Sequence, residues 1–281
     1  MTELPTSRKP AEQTALLKDN YTIDELLEIM SFLRSEQGCP WDREQTHQSL
    51  RENMIEEAYE TVDAIDSGSP ERLCDELGDV LMQVVFHAQM ASEQHRFNFS
   101  DVVAAICRKL ITRHTHLFGS DQASTAEAVI DNWEKNKKRE KGHKNQTQVL
   151  QDVPKTLPAL QRSYKIQQKA AHVGFDWSDV SGPKQKILEE LKEIEAAIQQ
   201  TDKRPNDSLE SEVGDLLFSV VNYARHLRIQ PELALNRSTE KFISRFAAME
   251  KMTSAKGGLE NMTLDQMDAL WNAVKQEESG E

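Results

Sequence analysis

The feature that most limits how this chain can fold is a pair of matching runs. Residues 54–65 read MIEEAYETVDAI and residues 187–198 read ILEELKEIEAAI. Both place Glu-Glu-x-x-Glu among apolar residues spaced for a helix. The correspondence continues in order: DELGDVLMQVVFHAQ (75–89) answers SEVGDLLFSVVNYAR (211–225), KLITRH (109–114) answers KFISRF (241–246), and NWEKNKK (132–138) answers LWNAVKQ (270–276). The offsets are 133 (54 to 187), 136 (75 to 211), 132 (109 to 241) and 138 (132 to 270). Four motifs in one order at nearly constant spacing mark a duplicated module.

A duplicated helical pattern predicts an all-α protein made of two tandem four-helix-type modules. Gly (11) and Pro (9) are sparse in the 281 residues, which disfavours a turn-rich sandwich or barrel. The expected layout is a flexible tail over 1–20, a first module over 21–140, a linker over 141–158 and a second module over 159–281. The linker is polar and holds two prolines, so an extended, exposed path is expected. Loops are expected at 66–70 and 200–206, and the loops GCPWD (38–42) and GFDWSD (174–179) precede the first carboxylate helix of each module. Ile187, Leu188, Leu191, Ile194 and Ile198 form one apolar stripe. Hydrophobic content is only 38%, consistent with modules that complete their cores by pairing with another subunit as a homodimer or higher homo-oligomer.

The acids carry the chemistry. Residues three or four apart on a helix share a face, so Glu57 and Glu60 point together, as do Glu76 and Asp79. A short connection favours an antiparallel helix pair that brings all four together. The second quartet is Glu190, Glu193, Glu212 and Asp215. Two like charges at 4 Å repel by about 1 kcal/mol in water and about 4 at an effective dielectric of 20, so a divalent cation is the natural resolution. An all-oxygen donor set without His or Cys selects hard ions, Mg²⁺ first and Mn²⁺ as a substitute. On a single helix such acids are more often a solvated face; it is their repetition beside apolar runs that favours a site. A di-iron bundle would need Glu-x-x-His on core helices. The strings Glu44–His47 and Glu140–His143 occur once each, outside the repeat, so iron is discounted.

Cations and tryptophans recur in register with the acids. Lys109 and Arg113 are four apart, as are Trp133 and Lys137; the second copies are Lys241 and Arg245, and Trp271 and Lys275. Lys and Arg beside a carboxylate cluster suit a polyphosphate, whose oxygens they take where the metal leaves them free. Trp271 could stack on a base or ribose. Lys186, four residues before Glu190, adds a cation where the first module has Asn53. Singly, each of these would be an ordinary surface or core residue. Trp41 and Trp177 are expected to anchor their loops against the bundle, and His114 and His116 to lie at the surface or an interface.

Charge and segment properties exclude other classes. A net charge of −13 argues against a duplex-binding protein, which draws most of its affinity from a basic surface. Cys39, Cys74 and Cys107 are too few and too irregular for a disulfide framework or a zinc site. The N-terminal stretch lacks the apolar core of a signal peptide, and the most apolar run, 80–91, is interrupted by Gln83, His87 and Gln89. A soluble, cytoplasmic protein without membrane contact is expected.

The ordered set of motifs resembles the MazG family of the all-α NTP pyrophosphatase superfamily, over nearly the whole chain. GCPWD, the LFG after RHTH (113–119), LPAL (157–160) and VGFDW (173–177) are similar to its tandem-domain bacterial members. The resemblance implies Mg²⁺-dependent hydrolysis of nucleoside triphosphates to the monophosphate and pyrophosphate, with broad specificity and a house-cleaning role. It implies metal ligation by Glu190, Glu193, Glu212 and Asp215. Nucleotide contacts would come from Lys186, Glu189, Lys241, Arg245, Trp271 and Lys275, with Glu189 orienting or deprotonating the attacking water. The second module is the expected catalyst, and the first, with Glu57, Glu60, Glu76, Asp79, Lys109, Arg113, Trp133 and Lys137, a possible second site or a structural or regulatory copy. The rivals are a nucleotide- and metal-binding module that does not hydrolyse, and a helical scaffold whose acids are solvated surface.

Overall fold

A computed structural model describes residues 17–121, 123–200, 207–253 and 258–279. Most of the expected tail and the expected loop at 200–206 lie outside them. The described chain is helical: α1 (Ile23–Leu33), α2 (Pro40–Glu44), α3 (Arg51–Ser67), α4 (Pro70–Glu93), α5 (Phe99–Arg113), α6 (Thr115–Phe118), α7 (Ala126–Glu140), α8 (Gln146–Gln151), α9 (Ala159–Ala171), α10 (Ser181–Gln200), α11 (Asp207–His226), α12 (Pro231–Thr253) and α13 (Leu264–Ser279). No strand occurs among the described residues. The chain divides into two compact units, Met1–Trp133 and Glu134–Glu281, at a point inside α7.

Local chemistry sets the helix ends. Thr22 and Glu25 form a capping box at the start of α1, with the Glu25 N–H donating to Thr22 Oγ1 at 3.3 Å and the Thr22 N–H donating to Glu25 Oε2 at 2.9 Å. Asn98 and Asp101 do the same for α5. α3 runs through Asp66 and Ser67 and stops at Gly68, whose φ of 68° is left-handed. Ser69 then caps α4 and Pro70 opens it. The connection expected over 66–70 is therefore only Gly68 and Ser69, and it closes α3 and α4 into a tight antiparallel hairpin. In the second unit α10 and α11 form the principal helix pair.

The core of the first unit is Met30, Leu50, Val85, Phe86 and Met90, with Leu26, Leu27 and Phe99 against it. In the second unit Pro183, Ala197, Val221, Met249 and Val274 are buried. The expected linker differs from the extended path its composition suggested. It contains α8, capped by Asn145, and both Val149 and Val153 are buried, so two apolar residues spaced one turn apart are enough to fold the segment down.

Both hairpins carry more apolar surface than they bury. Ile55, Ile65 and Leu77 are more than half exposed in the first unit, and Leu188 and Leu217 in the second. The stripe expected on α10 is split, with Ile187 and Ile194 half-buried and Leu188, Leu191 and Ile198 exposed. No described helix is long and apolar enough to cross a membrane.

Candidate active site

Each hairpin gathers three carboxylates. In the first unit Glu57 of α3 meets Glu76 and Asp79 of α4, and in the second Glu190 of α10 meets Glu212 and Asp215 of α11; in each triad, one carboxylate oxygen per residue lies within 4.8 Å of the others. Spacing explains the match, since acids three apart on one helix face a single acid on its antiparallel neighbour. The fourth predicted acids, Glu60 and Glu193, lie one turn further on and stand outside these tight groups. The donors are all hard oxygens and close enough to share one ion, so they fit a divalent cation.

Electrostatics register the crowding. Burial raises the Glu57 carboxyl above its ordinary range, and the charges of Asp79 and Glu60 add to the shift; a hydrogen bond with Gln83 opposes it. Glu193 is likewise raised, by desolvation and by its hydrogen bond and like charge with Glu190. The two triads differ in their cations. Lys186 Nζ lies 2.6 Å from Glu190 Oε1 and 2.7 Å from Glu189 Oε1, and these two carboxylates hold its ammonium strongly protonated. Glu190 itself is only 3% exposed.

The second triad opens onto a cleft of about 390 Å³, within the size range of small-molecule sites. Lys186, Glu190 and Asp215 stand in its wall, with the apolar side chains of Ile166, Phe175, Trp177 and Phe218 beside them and the polar Gln167, Asn222 and Arg225 among them. Trp177 only partly fulfils the anchoring role expected of it. It packs so closely over Gly182 that a Cβ there would sit 2.2 Å from the indole, yet the ring is 46% exposed and lines the cleft.

The remaining predicted residues assemble elsewhere. Arg245 lies over the Trp271 ring at 5.6 Å, the Phe242 ring lies tilted against the same indole with centroids 5.1 Å apart, and Arg245 Nε donates to Glu278 Oε2 at 2.8 Å. The first unit repeats the motif, with the Arg113 guanidinium 5.2 Å from the Trp133 ring and His114 at its edge. Lys241 is exposed on α12 and Lys275 on α13, Lys109 is exposed on α5, and Lys137 follows the division between the units. None of Lys241, Arg245, Trp271 and Lys275 lines the carboxylate cleft. Sequence reasoning missed Gln167, Asn222 and Arg225. The signal available was Asn222, a polar residue inside an apolar run where the first copy has Phe86.

Two antiparallel helical hairpins, each presenting a hard-oxygen triad, define a tandem all-helical protein with carboxylate centres suited to a divalent cation. The MazG nucleotide pyrophosphohydrolase domain matches the chain twice, over residues 45–118 and 181–249, and each match spans one triad. The chain is 44% identical to the nucleoside triphosphate pyrophosphohydrolase of Escherichia coli strain K12, over 91% of its own length and 98% of that protein. It is also 44% identical to the nucleoside triphosphate pyrophosphohydrolase/pyrophosphatase MazG of Thermotoga maritima, over 90% of this chain and 95% of that one. A similar identity, 44%, holds with the uncharacterized protein YabN of Bacillus subtilis, where 89% of this chain covers 51% of the relative. The chain belongs to the MazG nucleotide pyrophosphohydrolase family.

Proposed function

We propose that the second unit hydrolyses nucleoside triphosphates between the α and β phosphates, with Mg²⁺ as the working ion and Mn²⁺ as a substitute, releasing a monophosphate and pyrophosphate. The observation that carries this reading is the Glu190, Glu212 and Asp215 triad standing at a cleft with Lys186 on its rim. The names of the Escherichia coli and Thermotoga maritima relatives support it. A broad-specificity house-cleaning role in the cytoplasm is the biological form of the reading.

Glu190, Glu212 and Asp215, joined by Glu193, would hold the cation. Bound there, the ion supplies Lewis acidity toward the phosphate oxygens. Glu189, which pairs with Lys186 Nζ at 2.7 Å, would orient the attacking water and accept its proton. The water oxygen bonds to the α phosphorus, the bridging Pα–O bond breaks, and pyrophosphate departs with the electron pair. Lys186 takes charge that develops on phosphate oxygens as this happens. Lys241, Arg245, Trp271 and Lys275 would contact the nucleotide from the α12 and α13 pair. The exposed apolar residues of both hairpins support assembly as a homodimer or larger homo-oligomer. The first triad, with Lys109, Arg113, Trp133 and Lys137, is a second metal site of structural, regulatory or weak catalytic use.

Incubation of the protein with a dNTP and Mg²⁺, with product identification, tests the reaction class. Monophosphate plus pyrophosphate is expected. Diphosphate plus orthophosphate overturns the bond assignment, and tight binding without products identifies a sensor instead.

A further inference from the structure

We propose that Glu278 is an internal stand-in for a phosphate group: its carboxylate occupies an edge of the Arg245 guanidinium, and a triphosphate must displace it to bind there. This rests on the reading of the α12 and α13 pair as the nucleotide contact and adds a residue that sets how tightly the pair takes its ligand.

Arg245 of α12 is held on two sides by α13. Its guanidinium lies 5.6 Å from the Trp271 ring, and its Nε and a terminal nitrogen each stand 2.8 Å from Glu278 Oε2. Trp271 and Glu278 are seven residues apart, about two turns of helix, so one face of α13 presents first the indole and then the acid. The acid keeps step with the duplication, since Glu140 stands seven residues after Trp133 as Glu278 does after Trp271. The Arg245 side chain is 17% exposed and that of Glu278 is 41% exposed, so the acid is the partner that can leave for solvent.

A guanidinium offers paired N–H groups in one plane, and a carboxylate and a phosphate present similar acceptors to them. Glu278 is therefore a chemical match for a phosphate at this edge, with one charge where a triphosphate carries several. An ion pair that reaches solvent is weak, so a ligand that also engages Lys241 and Lys275 can replace it. A phosphate that took another edge of Arg245 would still meet the neighbouring carboxylate charge, which offsets the guanidinium and repels the ligand. By either approach Glu278 weakens phosphate binding. The penalty applies to bound substrate and to the transition state alike, so it falls on KM and leaves kcat unchanged.

Calorimetry of the full chain in Mg²⁺ with the α,β-methylene analogue of ATP, whose carbon bridge resists hydrolysis, tests the contact. Glu278→Gln keeps the shape of the side chain and should tighten binding about two- to fivefold, the scale of an exposed ion pair. Assays with ATP should show KM lowered by the same factor at unchanged kcat. Glu277→Gln, which removes the same charge one residue away, should change neither quantity. Arg245→Gln should weaken binding, and adding Glu278→Gln to it should bring no gain. Unchanged or weaker binding in Glu278→Gln overturns the proposal, the latter because the acid is then a brace that positions Arg245. An equal gain in Glu277→Gln overturns it as an effect of net charge, and a gain that survives in the double variant overturns it because Arg245 is then not the group released. Failure of the wild type to bind the analogue overturns this proposal together with the nucleotide reading. Binding without pyrophosphate from ATP overturns the hydrolytic step alone and leaves the affinity ratios to decide this one.

Discussion

The two hairpins hold the same triad and differ in what stands next to it. Where the second unit has Asn222 in the wall of a cleft, the first has Phe86, 4% exposed in the core. Counting from the Gly and Trp that the loops 38–42 and 174–178 share, Arg34 stands where the second unit has Ala170. The Arg34 guanidinium lies 5.3 Å from the Phe86 ring and bonds Glu93 through Nε and a terminal nitrogen, each at 2.8 Å. It also donates to the Asp42 carbonyl. In the first unit this corner is packed and clamped by an ion pair; in the second the same positions line a cleft. Beside the triads, Asn53 and Gln83 of the first copy answer Lys186 and Ser219 of the second. A duplicated module can thus keep a carboxylate triad while one copy packs the neighbouring positions as core and the other leaves them lining a cleft, because the triad and those positions use different turns of the same helix.

The largest expected effect breaks that comparison directly. Glu190→Ala should lower pyrophosphate release by more than about a hundredfold, beyond the usual cost of losing an outer-shell partner of a metal ligand. Glu57→Ala should leave most of the activity. Steady-state assays of both variants on one dNTP check this, and the reverse pattern would place catalysis in the first unit.

That asymmetry was only partly legible in the sequence. The helices, the duplication and all six acids of the two triads follow from periodicity and acid spacing, because a helix makes residues three apart neighbours whatever surrounds them. Glu60 and Glu193 have the same spacing but miss the tight groups, since whether a further turn still faces the partner helix depends on how the hairpin packs. The linker was misjudged because two prolines and a polar majority outweighed Val149 and Val153 by composition, although burial of a few apolar residues decided the outcome. The cleft is the hardest part to read. Gln167, Asn222 and Arg225 come from two helices and depend on the orientation of amides that only packing sets.

A middle-sized effect sharpens the contrast at one position. Phe86→Ala should destabilise the first unit by about 3–5 kcal/mol, the usual cost of emptying a large aromatic site. Asn222→Ala should cost less than about 1.5 kcal/mol, since Arg225 keeps its bond to Asp176. Hydrogen exchange resolved by unit reads the stabilities, and comparable losses at the two positions would show that Asn222 is core as well.

The smallest effect concerns the metal-free state. In the first unit the raised carboxyl is Glu57, itself a member of the triad, whereas in the second Lys186 sits on Glu190 and the raised group is the neighbouring Glu193. A carboxyl whose folded pKa lies above its unfolded value is easier to bury when protonated. The first unit should therefore lose stability as pH rises from about 4.5, the ordinary value, through the raised one, and regain it on acidification. Glu57→Gln should flatten this dependence in chelator-treated protein, because the neutral amide removes the crowded charge. Mg²⁺ at a hundred times its dissociation constant should restore about 2.7 kcal/mol to the wild-type unit and much less to the variant. Thermal melts across that pH range, with and without chelator, measure both quantities. An unchanged slope in Glu57→Gln would mean that the triad's repulsion is relieved by water and side-chain motion, and that the first copy keeps its acids without a need for an ion.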